Sequence, residues 1–159
     1  MKVIFYTLLL LTSSSITAQK KVDYLKVRDD LVVLSCGEKI DSADVIKSIQ
    51  NLEAFDTTRI KKNIDQYYLD LGTYYWLVGG PNNKIYADKS ISALNKVLYH
   101  QPNSRRAFWD LAFVYGFLYD CEKAKIYFAQ YHQNTPSEYE SEYSTEQENS
   151  LLAKCESKN

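Results

Sequence analysis

The stretch that decides the fold is AFWDLAFVYGFLYD, residues 107–120, in which aromatic and aliphatic side chains predominate. It could belong to a ligand pocket, a membrane segment or one helix of a packed array. Asp110 interrupts it, and Arg106 and Asp120 flank it, whereas a membrane-spanning helix needs roughly 20 apolar residues. The packed array is favoured because the same residue spacing recurs upstream.

The pattern of this stretch occurs twice in the chain, and internal periodicity of this kind is the signature of repeat architectures. The later positions of the two copies are offset by 34 residues. The first copy is longer by about six residues, which fall in its internal turn around GGPNNK, where glycine, proline and asparagine break a helix. The first copy has Tyr68, Leu71, Gly72, Tyr75, Ser90, Leu94 and Pro102, and the second has Phe108, Leu111, Ala112, Tyr115, Ala124, Phe128 and Pro136.

The doubled pattern resembles the tetratricopeptide repeat, a 34-residue helix–turn–helix unit with the signature Trp-x2-Leu-Gly-x2-Tyr, then Ala-x3-Phe, then Pro. The copies span about 65–102 and 105–136. The resemblance implies an all-α fold, a short α-solenoid of antiparallel helix pairs with flanking capping helices. The departures from the signature keep the size class of the side chain; they are Tyr68, Ser90 and Leu94 in the first copy and Phe108 and Ala112 in the second.

Periodicity supports helices independently of the resemblance, because apolar residues recur at three- and four-residue steps. Asp56 stands where a helix N-cap is expected. Gly72 and Ala112 lie where two helices must approach closely, and the 14 tyrosines are explained by packing between helices without a cofactor. The apolar face of the first helix comprises Ile60, Ile64, Tyr67 or Tyr68, Leu71, Tyr74 or Tyr75, and Val78.

Two repeats are too few for a continuous core, so the flanks must supply caps. Residues 41–44 predict a helix start, followed by a stripe of Val45, Ile46, Ile49 and Leu52. Residues 135–138 fit a capping box with proline at the first helical position, which predicts a cap helix over about 136–155. Its glutamate-rich face is a solvated outer surface or, alternatively, an acidic docking surface. Residues 22–37 suit either a strand or a short helix.

The first residues have the layout of a secretory signal peptide: Lys2, an apolar run over 3–11, then small and polar residues. Cleavage is expected after Ala18, with cleavage after Ser15 and an uncleaved anchor as alternatives. The short lysine-headed leader is typical of bacteria, so we expect an exported protein, periplasmic or extracellular. The predicted organisation is a signal peptide over 1–18, an ambiguous N-terminal segment over 19–40 and a helical domain over 41–159.

Three cysteines remain after the leader. Cys121 opens the second helix of the second repeat, and a cap helix running back antiparallel returns residues near 151–155 to its level. The helix order therefore predicts a Cys121–Cys155 disulfide, with Cys121–Cys36 and three free thiols as alternatives.

Little in the sequence points to catalysis, cofactors or a metal. The formal net charge of −1 argues against a nucleic-acid partner. His100 and His132 are expected in the last turn of a helix, where the helix dipole favours positive charge. A zinc site combining the three cysteines with a histidine lacks any closely spaced ligand pair. No phosphate-binding loop or nucleophile elbow occurs.

The resemblance also implies a binding groove, because the first helix of each unit lines a concave surface in this family. The positions at which some family members clamp a peptide carboxylate hold Leu69, Thr73, Trp109 and Phe113 here, so the groove is expected to be aromatic and apolar. Alternatively, residues 22–37 cover it. The groove positions are Gln66, Leu69, Asp70, Thr73 and Trp76 in the first copy and Arg106, Trp109, Asp110, Phe113 and Phe117 in the second.

Together these features favour a non-enzymatic adaptor or scaffold that binds a protein or peptide, without nucleic acid and without membrane insertion once the leader is removed. Two alternatives stay open. One is a thiol- or redox-active exported protein, or an enzyme, using Cys36. The other is a structural protein that self-associates through the face carrying Trp76 and Trp109, which makes a homo-oligomer a further option.

Overall fold

The computed structural model describes residues 42–60, 63–79, 83–136 and 142–158. Every regular element in these ranges is helical and none is a strand, which confirms the prediction of an all-α fold. A short 3₁₀ turn at Thr57–Arg59 lies between the first two α-helices. The α-helices are α1 (Ser42–Glu53), α2 (Ile64–Gly79), α3 (Lys84–His100), α4 (Arg105–Phe117), α5 (Cys121–Gln133) and α6 (Glu142–Glu156).

Helix α1 starts where the sequence predicts and packs its apolar stripe against α2. Val45, Ile49 and Leu52 are buried in one cluster with the α2 tyrosines. The Tyr67 hydroxyl donates a 2.8 Å hydrogen bond to the Leu52 carbonyl at the end of α1. Asp56 does act as an N-cap, accepting from the Thr58 N–H, but it caps the 3₁₀ turn, and α2 begins only at Ile64.

Helices α2 and α3 form an antiparallel pair. The end of α2 meets the start of α3, since a Cβ added to Gly79 would lie 2.5 Å from the Tyr86 Cβ. At the opposite end, the Gln101 side chain after α3 donates to Asp65 at the start of α2, at 2.9 Å. Midway, the Ser90 hydroxyl donates to the Gly72 carbonyl at 2.7 Å, so small residues hold the two helices close together.

Helices α4 and α5 form a second antiparallel pair. Tyr115 near the end of α4 stacks on Tyr127, with ring centroids 5.5 Å apart and planes 5° apart. Trp109 near the start of α4 meets Tyr131 near the end of α5, with centroids 4.8 Å apart. Asp120 caps α5 by accepting from the Lys123 N–H. Aromatic rings of this kind supply much of the buried area of a small core.

The first helices of the two pairs lie side by side and run in the same direction. Thr73 of α2 donates a 2.5 Å hydrogen bond to Asp110 of α4. One turn further along α2 and two turns further along α4, Trp76 stacks on Phe117, with centroids 5.8 Å apart and planes 26° apart. Contacts therefore advance along both helices together, and α2 and α4 present one continuous face.

Four of the seven equivalent signature positions are buried in both copies. The small residue of each first helix, Gly72 or Ala112, is buried within its helix pair, and so is the residue two-thirds along each second helix, Leu94 or Phe128. The buried equivalent pairs are Leu71 and Leu111, Gly72 and Ala112, Ser90 and Ala124, and Leu94 and Phe128.

Helix α6 packs antiparallel to α5 and contacts α4. The Cys121–Cys155 disulfide joins the start of α5 to the end of α6, with Cα atoms 5.8 Å apart, which confirms the predicted pairing. At the other end of α5, His132 Nε2 lies 2.7 Å from the Glu148 carboxylate. The predicted helix start at Pro136 differs from the structure: Pro136 is not helical and α6 is given from Glu142.

Several sequence predictions fall outside the described residues. These are the leader over 1–18, the ambiguous segment 22–37, Cys36 and residues 80–82 of the 79–84 turn. Among the helices of the described ranges, none has the length and apolarity needed to cross a bilayer.

Candidate functional site

The polar half of the predicted groove is built from hydrogen bonds between its own side chains. Gln66 Nε2 donates to Asp70 Oδ1 at 2.7 Å, one turn along α2. Thr73 donates across to Asp110, and Arg106 Nε donates to the same carboxylate at 3.1 Å. Both donors reach Oδ2 of Asp110, whereas its buried Oδ1 has no hydrogen-bond partner among the described residues and lies 3.0 Å from Arg106 Nε. The Thr73 hydrogen bond joins α2 to α4.

Asp110 is the most deeply buried of these groups, with no exposed surface. Burial raises the pKa of its carboxyl, while the Arg106 guanidinium and the Thr73 hydrogen bond act in the opposite direction. Arg106 is exposed and covers the carboxylate from the solvent side. The sequence placed Asp70 and Asp110 on the groove surface; the structure buries both, so they position neighbouring side chains and do not offer a contact surface.

The aromatic half of the groove is a row of five rings that crosses from α2 over α4 to α5. Successive centroids are 5.8, 6.3, 4.9 and 4.8 Å apart. Each ring retains some exposure, so the row is neither a sealed core nor a free surface. We call it the aromatic row; in order it comprises Trp76, Phe117, Phe113, Trp109 and Tyr131.

An apolar cavity of about 340 Å³ lies between α4 and α6 and extends the aromatic row. Its floor is Phe113, Phe117 and Leu151, and its far wall is the polar side of α6. This volume lies at the lower end of the range of roughly 300–1,000 Å³ typical of ligand pockets. The residues that line it from α6 are Glu146, Gln147, Ser150, Leu151 and Lys154.

A second, smaller cavity of about 140 Å³ lies at the start of α2. Gln66 and Leu69 line it, beside Asp65 and Gln101. The predicted site therefore divides in two: these two residues face a small polar space at the start of α2, whereas Phe113 and Phe117 face the large apolar cavity.

The wall of the large cavity was missed by sequence analysis. Ser150 and Lys154 belong to no recognised motif and resemble ordinary exposed helix residues. The one available signal is their spacing of four residues, which places them on the same face of a helix. Tyr131 was also missed, although its spacing from Phe128 places both on one face of α5.

The described residues contain no group of three or more histidine, cysteine, aspartate or glutamate side chains placed to hold a metal ion. Both histidines lie in the last turn of a helix, as predicted. His132 contacts Glu148, and His100 packs edge-on against Tyr99 with centroids 5.1 Å apart.

Comparison of the chain with protein-family models, with curated proteins and with solved structures finds no match.

Proposed function

We propose that this chain is a non-enzymatic adaptor that binds a segment of another protein in the groove formed by the aromatic row and the cavity beside α6. We further propose that α2–α3 and α4–α5 are two tetratricopeptide-like units and that α6 is their cap. The burial of four of the seven signature positions in both copies supports the second proposal. Two side-by-side first helices are the arrangement that such units need to line a common surface.

The observation that carries the binding proposal is the apolar cavity, open to solvent beside a row of rings. An apolar, ring-lined space favours a partner that presents a hydrophobic side chain, because burying such a side chain contributes about 1.5–3 kcal/mol. Aromatic residues, tryptophan above all, are also enriched among the residues that dominate binding free energies. Trp76 and Trp109 both belong to the aromatic row, Trp76 at its α2 end and Trp109 on α4.

The rim of the cavity suits a peptide segment. Glu146 and Lys154 lie two helical turns apart on α6, one at each end of the stripe that walls the cavity. Both side chains are exposed, so the rim is negatively charged at one end and positively charged at the other. A bound segment with a central apolar side chain and oppositely charged ends would match floor and rim together, since complementary charges fix orientation more than they add affinity.

The test is to block the cavity without disturbing the fold. Ser150 is exposed on the cavity wall, so Ser150→Arg fills the space with a long charged side chain. Ala153 is exposed on the same helix but does not line the cavity, so Ala153→Arg is the matched control. Peptides would be selected from a random display library on the oxidised wild-type chain, synthesised, and titrated against all three proteins.

We expect the selected peptides to carry an apolar anchor and to bind wild type and Ala153→Arg equally. Ser150→Arg should bind at least about tenfold more weakly, a loss of about 1.4 kcal/mol. Equal binding to all three proteins, or no selectable peptide, would contradict the proposal. Sedimentation that shows a dimer of wild type dissociated by Ser150→Arg would instead reassign the cavity to self-association.

We also propose that the protein acts after export, in the periplasm or outside the cell. The disulfide supports this, because such bonds persist in oxidising compartments and are rare in the cytosol. The pairing of Cys121 with Cys155 leaves Cys36 as the third cysteine of the chain. A thiol-active role for Cys36 is the second candidate, and slow labelling of its thiol in the native protein would argue against it.

A further inference from the structure

Helix α6 provides the whole far wall of the apolar cavity, but it buries few of its own residues. Among its described side chains, Leu151 and Cys155 are buried, and Leu152 is partly buried. By contrast, α2 buries six residues and α3 buries five. Helix α5 also buries only two, but its Tyr127 and Tyr131 rings pack against Tyr115 and Trp109 of α4. The free energy that holds a surface helix in place comes mainly from its buried apolar face, so packing alone holds α6 weakly.

The other contacts of α6 are polar and partly exposed. The side chains of Lys125 and Glu156, which form an ion pair, are each more than half exposed, at 54% and 55%. Exposed pairs of this kind contribute about 0–1 kcal/mol. Just beyond the same end of the helix, Lys158 donates to the Tyr119 hydroxyl, also at an exposed position. In the first half of the helix, Glu148 lies 2.7 Å from His132 Nε2, and this pair is partly buried. These contacts orient α6 without securing it.

The disulfide is therefore the main attachment of α6. Cys155 has no exposed surface and lies one turn beyond Leu151, which packs on Gly116 and forms part of the cavity floor. Closing a loop of 34 residues changes an opening equilibrium by about 500-fold in the chain-entropy description. Cys155 thus fixes the very turn of α6 that borders the cavity.

We propose that the Cys121–Cys155 disulfide is a redox latch, whose reduction frees α6 and dismantles the apolar cavity while the α2–α5 body stays folded. A dithiol reductant supplies the two electrons. Its thiolate attacks the partly exposed Cys121 sulfur, the buried Cys155 leaves as a thiolate and takes up a proton, and the second thiol of the reductant resolves the mixed disulfide. The products are two cysteine thiols and the oxidised reductant.

The latch gives the groove a dependence on compartment. In a reducing environment α6 is released and the cavity lacks its wall. Reoxidation of the two cysteines returns α6 and restores the cavity. This consequence for partner binding rests on the proposed function, whereas the release of α6 does not.

The test uses hydrogen exchange followed by mass spectrometry on the full mature chain. A Cys36→Ser background removes the third thiol, so that disulfide exchange cannot complicate the result. The exchange of peptides from 145–156 would be compared between the oxidised protein, the same protein in excess dithiothreitol, and the protein reoxidised after removal of the reductant. Peptides from α2 and α3 serve as the internal reference.

We expect exchange over 145–156 to accelerate by up to about 500-fold on reduction and to recover on reoxidation, with the α2 and α3 peptides unchanged. Unchanged exchange over 145–156 would overturn the latch, and so would loss of protection over the whole chain. A Cys121→Ser, Cys155→Ser variant should match the reduced protein without any reductant present.

The selected peptides provide a separate arm of the experiment. If reduction opens α6 and also weakens peptide binding, the result supports both the latch and the proposed function. If α6 opens but the peptides bind the reduced protein as tightly as the oxidised one, the latch stands and the cavity is not the binding site.

Discussion

Two glycine–leucine contacts hold neighbouring helices together in this molecule, and the helices behind them differ. A Cβ added to Gly72 would lie 2.6 Å from the Leu94 Cγ, and one added to Gly116 would lie 2.6 Å from the Leu151 Cδ2. Leu94 belongs to α3, which has five buried residues. Leu151 belongs to α6, in which two of the described side chains are buried. Close backbone approach alone does not secure a helix; the burial of the remaining residues does.

The comparison assigns different roles to the two regions. The α2–α3 contact belongs to a scaffold that fixes the aromatic row. The α4–α6 contact positions a wall that packing holds weakly and a disulfide holds firmly.

The largest effect is expected from truncating the leucine of the scaffold. Leu94 is fully buried, so Leu94→Ala should lower the free energy of unfolding by about 2–5 kcal/mol in urea titrations. Leu151→Ala should cost less, because α6 can shift toward the space that is left. Leu94→Met, which nearly conserves volume, should cost less than about 1.5 kcal/mol. A larger loss for Leu151→Ala than for Leu94→Ala would reverse the assignment of scaffold and wall.

Substituting each glycine by alanine adds a methyl group at the helix contact and tests the same distinction between scaffold and wall. Gly72→Ala pushes against a side chain enclosed on all sides and should destabilise the fold by about 1–3 kcal/mol, despite the better helix propensity of alanine. Gly116→Ala should displace α6 instead, so that exchange over 145–156 accelerates while global stability changes less. Thermal or urea unfolding measures global stability, and hydrogen exchange measures the opening of α6. A greater loss of global stability for Gly116→Ala than for Gly72→Ala would contradict the assignment of scaffold and wall.

The next largest loss of stability is expected from removing the hydrogen bond that joins α2 to α4. Thr73→Val removes the hydroxyl that donates to the buried Asp110 carboxylate, leaving that charge less well satisfied, which costs about 1–2 kcal/mol. Because this hydrogen bond opposes the effect of burial, the pKa of Asp110 should rise further. Thr73→Ser keeps the hydroxyl and is the control. Urea midpoints at neutral pH provide the measurement, and equal midpoints for both variants would show that the bond contributes nothing.

The smallest effect concerns pH and the contact of α1 with the scaffold. Hydrogen bonds from Lys89 and Tyr75 lower the pKa of Glu53 below its usual 4.5. A carboxyl with a lowered pKa stabilises the folded state above its unfolded-state pKa, and this stabilisation is lost as the pH falls through the folded-state value. Glu53→Gln should therefore cost less than about 1 kcal/mol at pH 7, since the pair is partly exposed.

At a pH well below 4.5, wild type and Glu53→Gln should converge in stability. Urea midpoints measured along a pH series would check this. A difference that persists unchanged at the lowest pH would mean that the ionised carboxylate is not responsible for it.

Much of the scaffold could be predicted because its residues act at short range. Leu71, Gly72 and Leu94 lie at positions where period and side-chain size already imply a close helix contact, and the structure buries all three. The disulfide could be predicted for a similar reason, since helix order alone brings Cys121 and Cys155 to one level.

The site was less predictable because its features depend on contacts between distant parts of the chain. The burial of Asp110 depends on Thr73, which lies 37 residues away. Ser150 and Lys154 line the cavity only because Leu151 docks on Gly116. A start signal such as Asp56 caps a 3₁₀ turn as readily as an α-helix, so the beginning of α2 could not be located from it.

The central claim, that the aromatic row and its cavity form a binding surface, is tested most directly by tryptophan fluorescence. The chain has two tryptophans, and both belong to the aromatic row, so no tryptophan elsewhere contributes to the signal. Titration of a selected peptide into the oxidised protein should change the emission of wild type and of Ala153→Arg with the same dissociation constant. Ser150→Arg should show that change only at much higher peptide concentration. Binding detected calorimetrically with unchanged tryptophan emission, and undiminished in Ser150→Arg, would contradict the account.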